Sequence, residues 1–264
     1  MKELLSRIVV GFLLGAIIIL ASISRPIFLL LFLLIWLGIA TAEFLHLLQR
    51  IGLKFNYPLF IAINLIFILL IHFNAPLHYL FFLIVIIFLW AIFQSPFSSK
   101  YFTYGLFSLF YLAFLPTHFL LLKKLVTENH LSNHILLFPL FFTWLNDTLA
   151  YGIGKGIGQR KLAEAISPQK TYEGFFGALT LSIPFSFFYL KSFLPKVFPL
   201  NFILLSVLLT ILAQIGDLLE SVFKREAKVK DSSNLLLGHG GFLDRIDSLL
   251  FTIPAFYYWL KVFF

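Results

Sequence analysis

Runs of 17 or more apolar residues recur from one end of this 264-residue chain to the other. A stretch of that length is a candidate to cross a bilayer as a helix, which needs about 20 apolar residues. The chain is 60% hydrophobic and only 12% charged, about half the charge of a soluble domain. The expected fold class is therefore all-α, a polytopic membrane helical bundle of about nine transmembrane helices. The spans read as 5–22, 27–48, 57–73, 77–94, 104–122, 134–153, 172–190, 198–219 and 247–263. They take up most of the chain, so no separate soluble domain fits. Lys2, Arg7 and the apolar stretch ending near Ala21 and Ser22 have the outline of a signal peptide. More spans follow at once, so this stretch reads as the first of them. There is no cysteine, which excludes disulfides, thiolate metal sites and a Cys nucleophile.

The net charge is +8, and its placement says more than its size. With these spans and a cytoplasmic N-terminus, 14 of the 20 Lys and Arg residues fall on the inner side and 6 on the outer. The positive-inside rule selects that orientation, and it puts the charged connections 154–171 and 220–246 in the cytoplasm. Acids divide the chain as well. All five aspartates lie at or after position 147, and nine of the twelve acids fall in the last 118 residues. Residues 1–130 read as a transmembrane scaffold of about five spans and a possible dimer surface. Residues 131–264 read as the chemical half, with about four spans. No internal repeat is visible, so an inverted-repeat transporter has no support.

Asp147, in WLNDTLAYGIGKGIG, is an ionisable residue inside a span, and its default reading is functional. Trp144, Asp147 and Tyr151 share one helical face, expected to point into the bundle. A buried Asp pinned by a polar group of a neighbouring helix fits the same pattern. Glycines 152, 154, 156 and 158 precede Gln159-Arg160-Lys161. They suggest a phosphate-cradling turn but lack P-loop spacing, and a helix end unwinding into a loop explains them equally. In Ser167-Pro168-Gln169-Lys170-Thr171, Ser167 reads as an N-cap with Pro at N1. Lys170 and Thr171 then occupy a first helical turn that suits an anion. Ordinary capping is the alternative.

The densest charge lies between Ser221 and Asp247, SVFKREAKVKDSSNLLLGHGGFLDRID. Just before it, Gln214, Asp217 and Ser221 share one helical face, as do Asp217, Glu220 and Lys224. A His239-Gly240-Gly241 turn would let backbone approach a ligand closely. Asp244 and Asp247 fall at the start of the last span, where acids suit the helix dipole. Asp217 and Asp244 are candidate oxygen ligands for one hard cation such as Mg²⁺. No HExxH and no nucleophile elbow is present, and the remaining histidines have no ligand spacing.

The pattern Ser221, Phe223, Lys224, Arg225, Lys230, Asp231, Ser233, Leu236, His239, Gly240, Gly241, Asp244, Arg245 and Asp247 resembles the signature of the phosphatidate cytidylyltransferase family. WLNDTLAYGIG and ISPQKTYEG resemble the same family upstream. Leu237 departs from it, standing where Pro, Gly or Ser is usual. The resemblance implies condensation of CTP with phosphatidic acid to CDP-diacylglycerol and pyrophosphate, assisted by Mg²⁺, alone or with a monovalent cation such as K⁺. A lipid phosphate is already a nucleophile, so the protein need only align it and neutralise charge.

In that scheme Asp217 and Asp244 hold the metal, and Asp147 or Asp247 completes or orients the site. Lys224, Arg225, Lys230 and Arg245 clamp phosphates, Asp231 belongs to the same catalytic set, and His239 is a phosphate donor or a turn-stabilising group. Ser167, Lys170, Thr171, Gly240 and Gly241 contact the nucleotide or the lipid phosphate. The expected setting is a bacterial inner membrane, with the protein a homodimer in the lipid bilayer and no nucleic-acid partner. A CTP-dependent polyprenol kinase is the nearest competing reading. A transporter is less consistent with polar residues gathered at the cytoplasmic ends.

Overall fold

The computed structural model describes every residue except those at positions 1, 77, 97, 234 and 237–239. His239 and Leu237, both singled out above, therefore lie outside the described residues. Nine α-helices occur among the described residues: α1 (Lys2–Ile23), α2 (Pro26–Arg50), α3 (Tyr57–His72), α4 (His78–Ile92), α5 (Ser99–Glu128), α6 (Phe138–Ile157), α7 (Tyr172–Phe193), α8 (Pro199–Glu226) and α9 (Leu249–Lys261). Four of them, α2, α5, α7 and α8, are long and apolar enough to cross a membrane, and shorter apolar helices lie at 10–23, 57–72 and 78–92. This is a helical membrane protein, as the apolar runs require.

Local chemistry sets the helix ends. Pro26 opens α2 where a missing N–H costs nothing. The Asn56 side chain caps α3 by accepting from the Leu59 N–H at 3.1 Å, and Ser98 caps α5 through the Lys100 N–H at 3.3 Å. Within α5, residues Phe110–Phe114 form a single π-helical turn.

The chain divides into two compact units: residues 1–121 with 226–245, and residues 122–225 with 246–264. In the first unit Leu37, Phe44, Phe60, Ile68, Tyr111 and Leu112 are fully buried. Lipid gives apolar faces little reason to associate, so polar clips matter. Asn64 on α3 donates to Thr41 on α2 at 3.1 Å and to Ser108 on α5 at 3.0 Å. In the second unit Phe138, Phe142, Phe202 and Phe256 are buried. There Asn146 on α6 donates to Ser182 on α7 at 3.2 Å and to Thr210 on α8 at 3.0 Å. Each such bond contributes on the order of 1 kcal/mol in a membrane.

Four local expectations are corrected. First, the run of glycines at 152, 154 and 156 is not a loop, because α6 continues to Ile157 and Gly158 is its C-cap. Second, Ser167 does not cap a helix. Lys161–Ala163 (β1) and Ser167–Thr171 (β2) form an antiparallel hairpin with Lys161 opposite Thr171 and Ala163 opposite Ser167. Pro168 is tolerated because a two-stranded ribbon consists only of edges. The cap of α7 is Thr171, whose hydroxyl accepts from the Gly174 N–H at 3.1 Å.

Third, the Trp144–Tyr151 face is not packed into the bundle along its length: Asp147 and Tyr151 line a cavity, and Trp144 lies at the surface. Trp144 and Tyr151 are 36% and 59% exposed, and Asn146 is the buried residue, its amide meeting two neighbouring helices. Asn146, next to Asp147, is thus pinned by other helices. Fourth, Asp244 and Asp247 do not lie in the first turn of the last helix. Leu243–Arg245 is a short 3-10 turn and α9 begins only at Leu249. Asp247 instead accepts from the Ser248 N–H at 2.7 Å.

Candidate active site

The hairpin is what brings a cation to the acids of the second unit. Its base is tied to α7, where Glu173 accepts from the backbone N–H groups of Gln159 and Arg160 at 3.1 and 3.2 Å and from Arg160 Nε at 3.0 Å. Its turn is held by Arg225 at the end of α8, whose Nε donates to the Ile166 carbonyl at 3.0 Å. Between these anchors β2 carries Lys170, and its ammonium stands 2.9 Å from the Asp217 carboxylate of α8.

Asp217 is further held by Ser221, whose hydroxyl donates to Oδ1 at 3.3 Å one turn along the helix. A cavity of about 150 Å³ opens there, lined by Asp147 and Tyr151 from α6, Ser167, Gln169, Lys170 and Thr171 from the hairpin, Phe175 from α7, and Gln214 and Asp217 from α8. Five of the residues singled out from the sequence, Asp147, Ser167, Lys170, Thr171 and Asp217, therefore meet in one place.

Asp247 adds a third acid to this surrounding. Gly216 makes that possible: a Cβ there would come within 2.5 Å of the Asp247 carbonyl and 2.9 Å of Ser248 Cα, so only glycine lets α8 lie against the turn ahead of α9. In that turn, outside the helix, burial pushes the Asp247 carboxyl up to about 8, and the charges of Asp217 and Asp147 push it the same way. The Lys224 ammonium acts in the opposite sense. Lys224 is itself buried and ion-paired to the fully buried Glu220 one turn before it.

The remaining candidates lie in the first unit. Asp244 Oδ2 accepts from the Ser232 N–H at 2.9 Å, the Ser232 hydroxyl at 2.9 Å and the Gly241 N–H at 2.7 Å, which closes the turn around it. Gly240 has φ +79°, and a Cβ on it would meet Asp244 Oδ2 at 2.9 Å. Asp231 lies beside Gly240, and Lys230, Asp231 and Arg245 are exposed.

Asp217 belongs to one unit and Asp244 to the other. Among the described residues no three His, Cys, Asp or Glu side chains form a ready-made ligand group. Mg²⁺ does not need one, since it keeps several waters and takes one or two carboxylates together with substrate phosphates. The chemistry of the donors, hard oxygens in an anionic setting that raises the Asp247 carboxyl, fits such an ion.

One residue of this assembly is missed by the reading of the sequence. Glu43, in α2, accepts from Ser232, Ser233 and the backbone of Phe242 and Leu243. The signal was available, since an acid within a continuous apolar run raises the same presumption of function as Asp147 does.

The model of the cytidylyltransferase family matches residues 5–263 of this chain. Among curated proteins, the phosphatidate cytidylyltransferase of Bacillus subtilis (strain 168) is 45% identical over 121 residues, 46% of this chain and 45% of that protein. The protein of the same name from Staphylococcus aureus (strain COL) is 46% identical over 125 residues, 46% of each chain. That from Haemophilus influenzae is 42% identical over 128 residues, 47% of this chain and 44% of the relative. The chain spans about half the length of the curated relatives it matches.

Proposed function

The chain belongs to the cytidylyltransferase family, and on that premise we propose that it joins CTP to phosphatidic acid, yielding CDP-diacylglycerol and pyrophosphate. The observation that carries the proposal is the cavity in which Lys170, Ser167 and Thr171 face Asp147 and Asp217. A cation and two hydroxyls opposite two carboxylates suit a phosphate and a hard cation side by side, as nucleotidyl transfer needs.

The attacking group is an oxygen of the lipid phosphate, already anionic, so no side chain has to remove a proton. It forms a bond to the α-phosphorus of CTP while the bond to the departing pyrophosphate breaks. Lys170 is the residue we assign to orienting a phosphate, with Ser167 and Thr171 donating from the same strand. Lys230 and Arg245, both exposed, are assigned to the remaining phosphate charge. Arg225 and Lys224 complete that set. Arg225 also holds the hairpin turn, and Lys224 is ion-paired to the buried Glu220 of α8. Mg²⁺, when bound, would neutralise the triphosphate and the leaving pyrophosphate. The resemblance assigns it to Asp217 and Asp244, and Asp147 and Asp247 are proposed to orient its surroundings. Asp231, Gly240 and Gly241 are proposed to shape the turn that carries Asp244.

The proposal extends to the setting: a homodimer in a bacterial inner membrane, with the N-terminus and the site on the cytoplasmic side, where the excess of Lys and Arg falls. The test is to incubate the purified protein with phosphatidic acid, labelled CTP and Mg²⁺. The expected products are a CMP-bearing lipid and pyrophosphate in equal amounts. Release of CDP with a phosphorylated lipid would instead make the protein a CTP-dependent lipid kinase.

A further inference from the structure

Glu43 is the one acid of α2, a 25-residue helix with the composition of a membrane span. It lies seven residues before Arg50, about 10 Å along the helix axis from that end, and is only 3% exposed. A carboxylate at such a depth is costly unless it is fully engaged. Here both oxygens are. Oε1 accepts from the Ser233 hydroxyl at 2.5 Å and the Phe242 N–H at 3.0 Å. Oε2 accepts from the Ser232 hydroxyl at 3.0 Å and the Leu243 N–H at 2.8 Å.

The donors all belong to the segment that carries the Gly240-Gly241 turn, and its irregular backbone lies against α2. Non-helical backbone beside a spanning helix is tolerated only where its N–H and C=O groups find partners in the protein. Glu43 serves two of those N–H groups. Trp36, two turns away on α2, donates from Nε1 to the Phe242 carbonyl at 3.3 Å and packs edge-on to the Phe242 ring. There is no slack between them: a Cβ on Gly241 would fall 1.9 Å from the Ser232 hydroxyl and 2.6 Å from Glu43 Oε2.

Ser232 connects this anchor to Asp244. Its hydroxyl oxygen is 3.0 Å from Glu43 Oε2 and 2.9 Å from Asp244 Oδ2, and it has one proton for the two carboxylates. We propose that Glu43 is a positioning residue: its carboxylate fixes the Gly240–Asp244 turn and, through Ser232, the aim of the Asp244 carboxylate. This rests on the proposed function only in that Asp244 is taken to face the reacting phosphates.

The test compares Glu43→Gln, Glu43→Asp and Ser232→Ala with the parent protein in detergent or lipid, using Glu128→Gln as a control. Glu128 is exposed and, among the described residues, its ion pair is with Lys124 across one helical turn. Glu43→Gln keeps the shape but turns an NH₂ donor toward groups that are themselves donors. Its expected effects are faster amide hydrogen exchange in residues 240–245 and a kcat lowered by about tenfold or more, with KM for CTP changed by less than about twofold. Glu43→Asp, which keeps the charge, should recover part of both. Ser232→Ala should show the same pair of effects, and the double variant should lose less than the product of the single losses, because both act through one turn.

Unchanged exchange and kcat in Glu43→Gln would overturn the proposal, as would fully multiplicative losses in the double variant. If Glu43→Gln does not fold, Ser232→Ala decides alone, and a wild-type profile there is equally fatal. If the parent protein does not turn over CTP and phosphatidic acid, the functional reading fails. The exchange data still decide whether Glu43 holds the turn.

Discussion

Lys170 Nζ stands 2.9 Å from Asp217 Oδ2, on the wall of the cavity that also carries Asp147. The two residues come from a surface hairpin and from the interior of a 28-residue helix. The pair means that Asp217 already has a cation beside it before any metal or nucleotide arrives. In the proposed reaction a phosphate entering the cavity would compete with Asp217 for the ammonium, and a divalent cation would compete with the ammonium for Asp217.

Removing either partner should therefore stop turnover in a different way. Lys170→Met is expected to lower kcat by about two orders of magnitude, whereas Lys196→Ala, at an exposed site away from the cavity, should leave it unchanged. Asp217→Asn should abolish turnover while the protein still purifies folded. Turnover assays alongside thermal melting in detergent check both. Near-normal activity of Asp217→Asn would remove Asp217 from the proposed metal site.

Asp247 predicts a dependence of stability on pH. A carboxyl whose pKa rises on folding, here from 3.8 to about 8, is held protonated by the fold and ionised in the unfolded chain. Its stabilising contribution is complete below the unfolded value and is lost as pH rises toward the folded one, levelling off above about 8. Asparagine cannot ionise and escapes that loss. In chelator, the melting temperature of Asp247→Asn should exceed that of the parent by a margin that grows between pH 5 and pH 8 and then stays constant. A margin independent of pH would mean that the carboxyl is not held protonated. Turnover of the variant should be lost at every pH.

Gly216 is the third point of leverage. An alanine methyl would collide with the Asp247 carbonyl and with Ser248 Cα, both backbone atoms that cannot swing aside. Gly216→Ala should cost about 1–3 kcal/mol of stability, as overpacking does, and should separate Asp217 from Asp247. Thermal melting and turnover should fall together. A stable variant with full activity would show that the close approach is not needed.

Some of this could be read before any coordinates. Continuous apolar runs predicted helices over 57–72 and 172–193 to within a few residues, because a span's length is set by the bilayer rather than by contacts. Asp147, Lys170 and Asp217 stood out because a charge in or beside an apolar run has few structural reasons to be there. The hairpin at 161–171 was not legible. Ser167-Pro168 carries a helix-start signal, and only the anchoring of the strands by Glu173 and Arg225 selects extended backbone over a helical turn. Helical periodicity places Trp144, Asp147 and Tyr151 together, but that Asn146, beside this face, is the residue buried against other helices was a matter of packing.

The amino-acid sequence alone determined that the chain lives in a bilayer, that it is helical, and that its aspartates and most of its acids gather in the C-terminal half, since hydropathy and charge are properties of residues. Only the tertiary structure decided the partners: Lys170 against Asp217, Gly216 beneath Asp247, and Glu43 beneath the Gly240–Asp244 turn nearly 200 positions away. Those choices depend on which helices lie side by side and how closely, and in lipid that is settled by small residues and polar clips rather than by hydrophobicity.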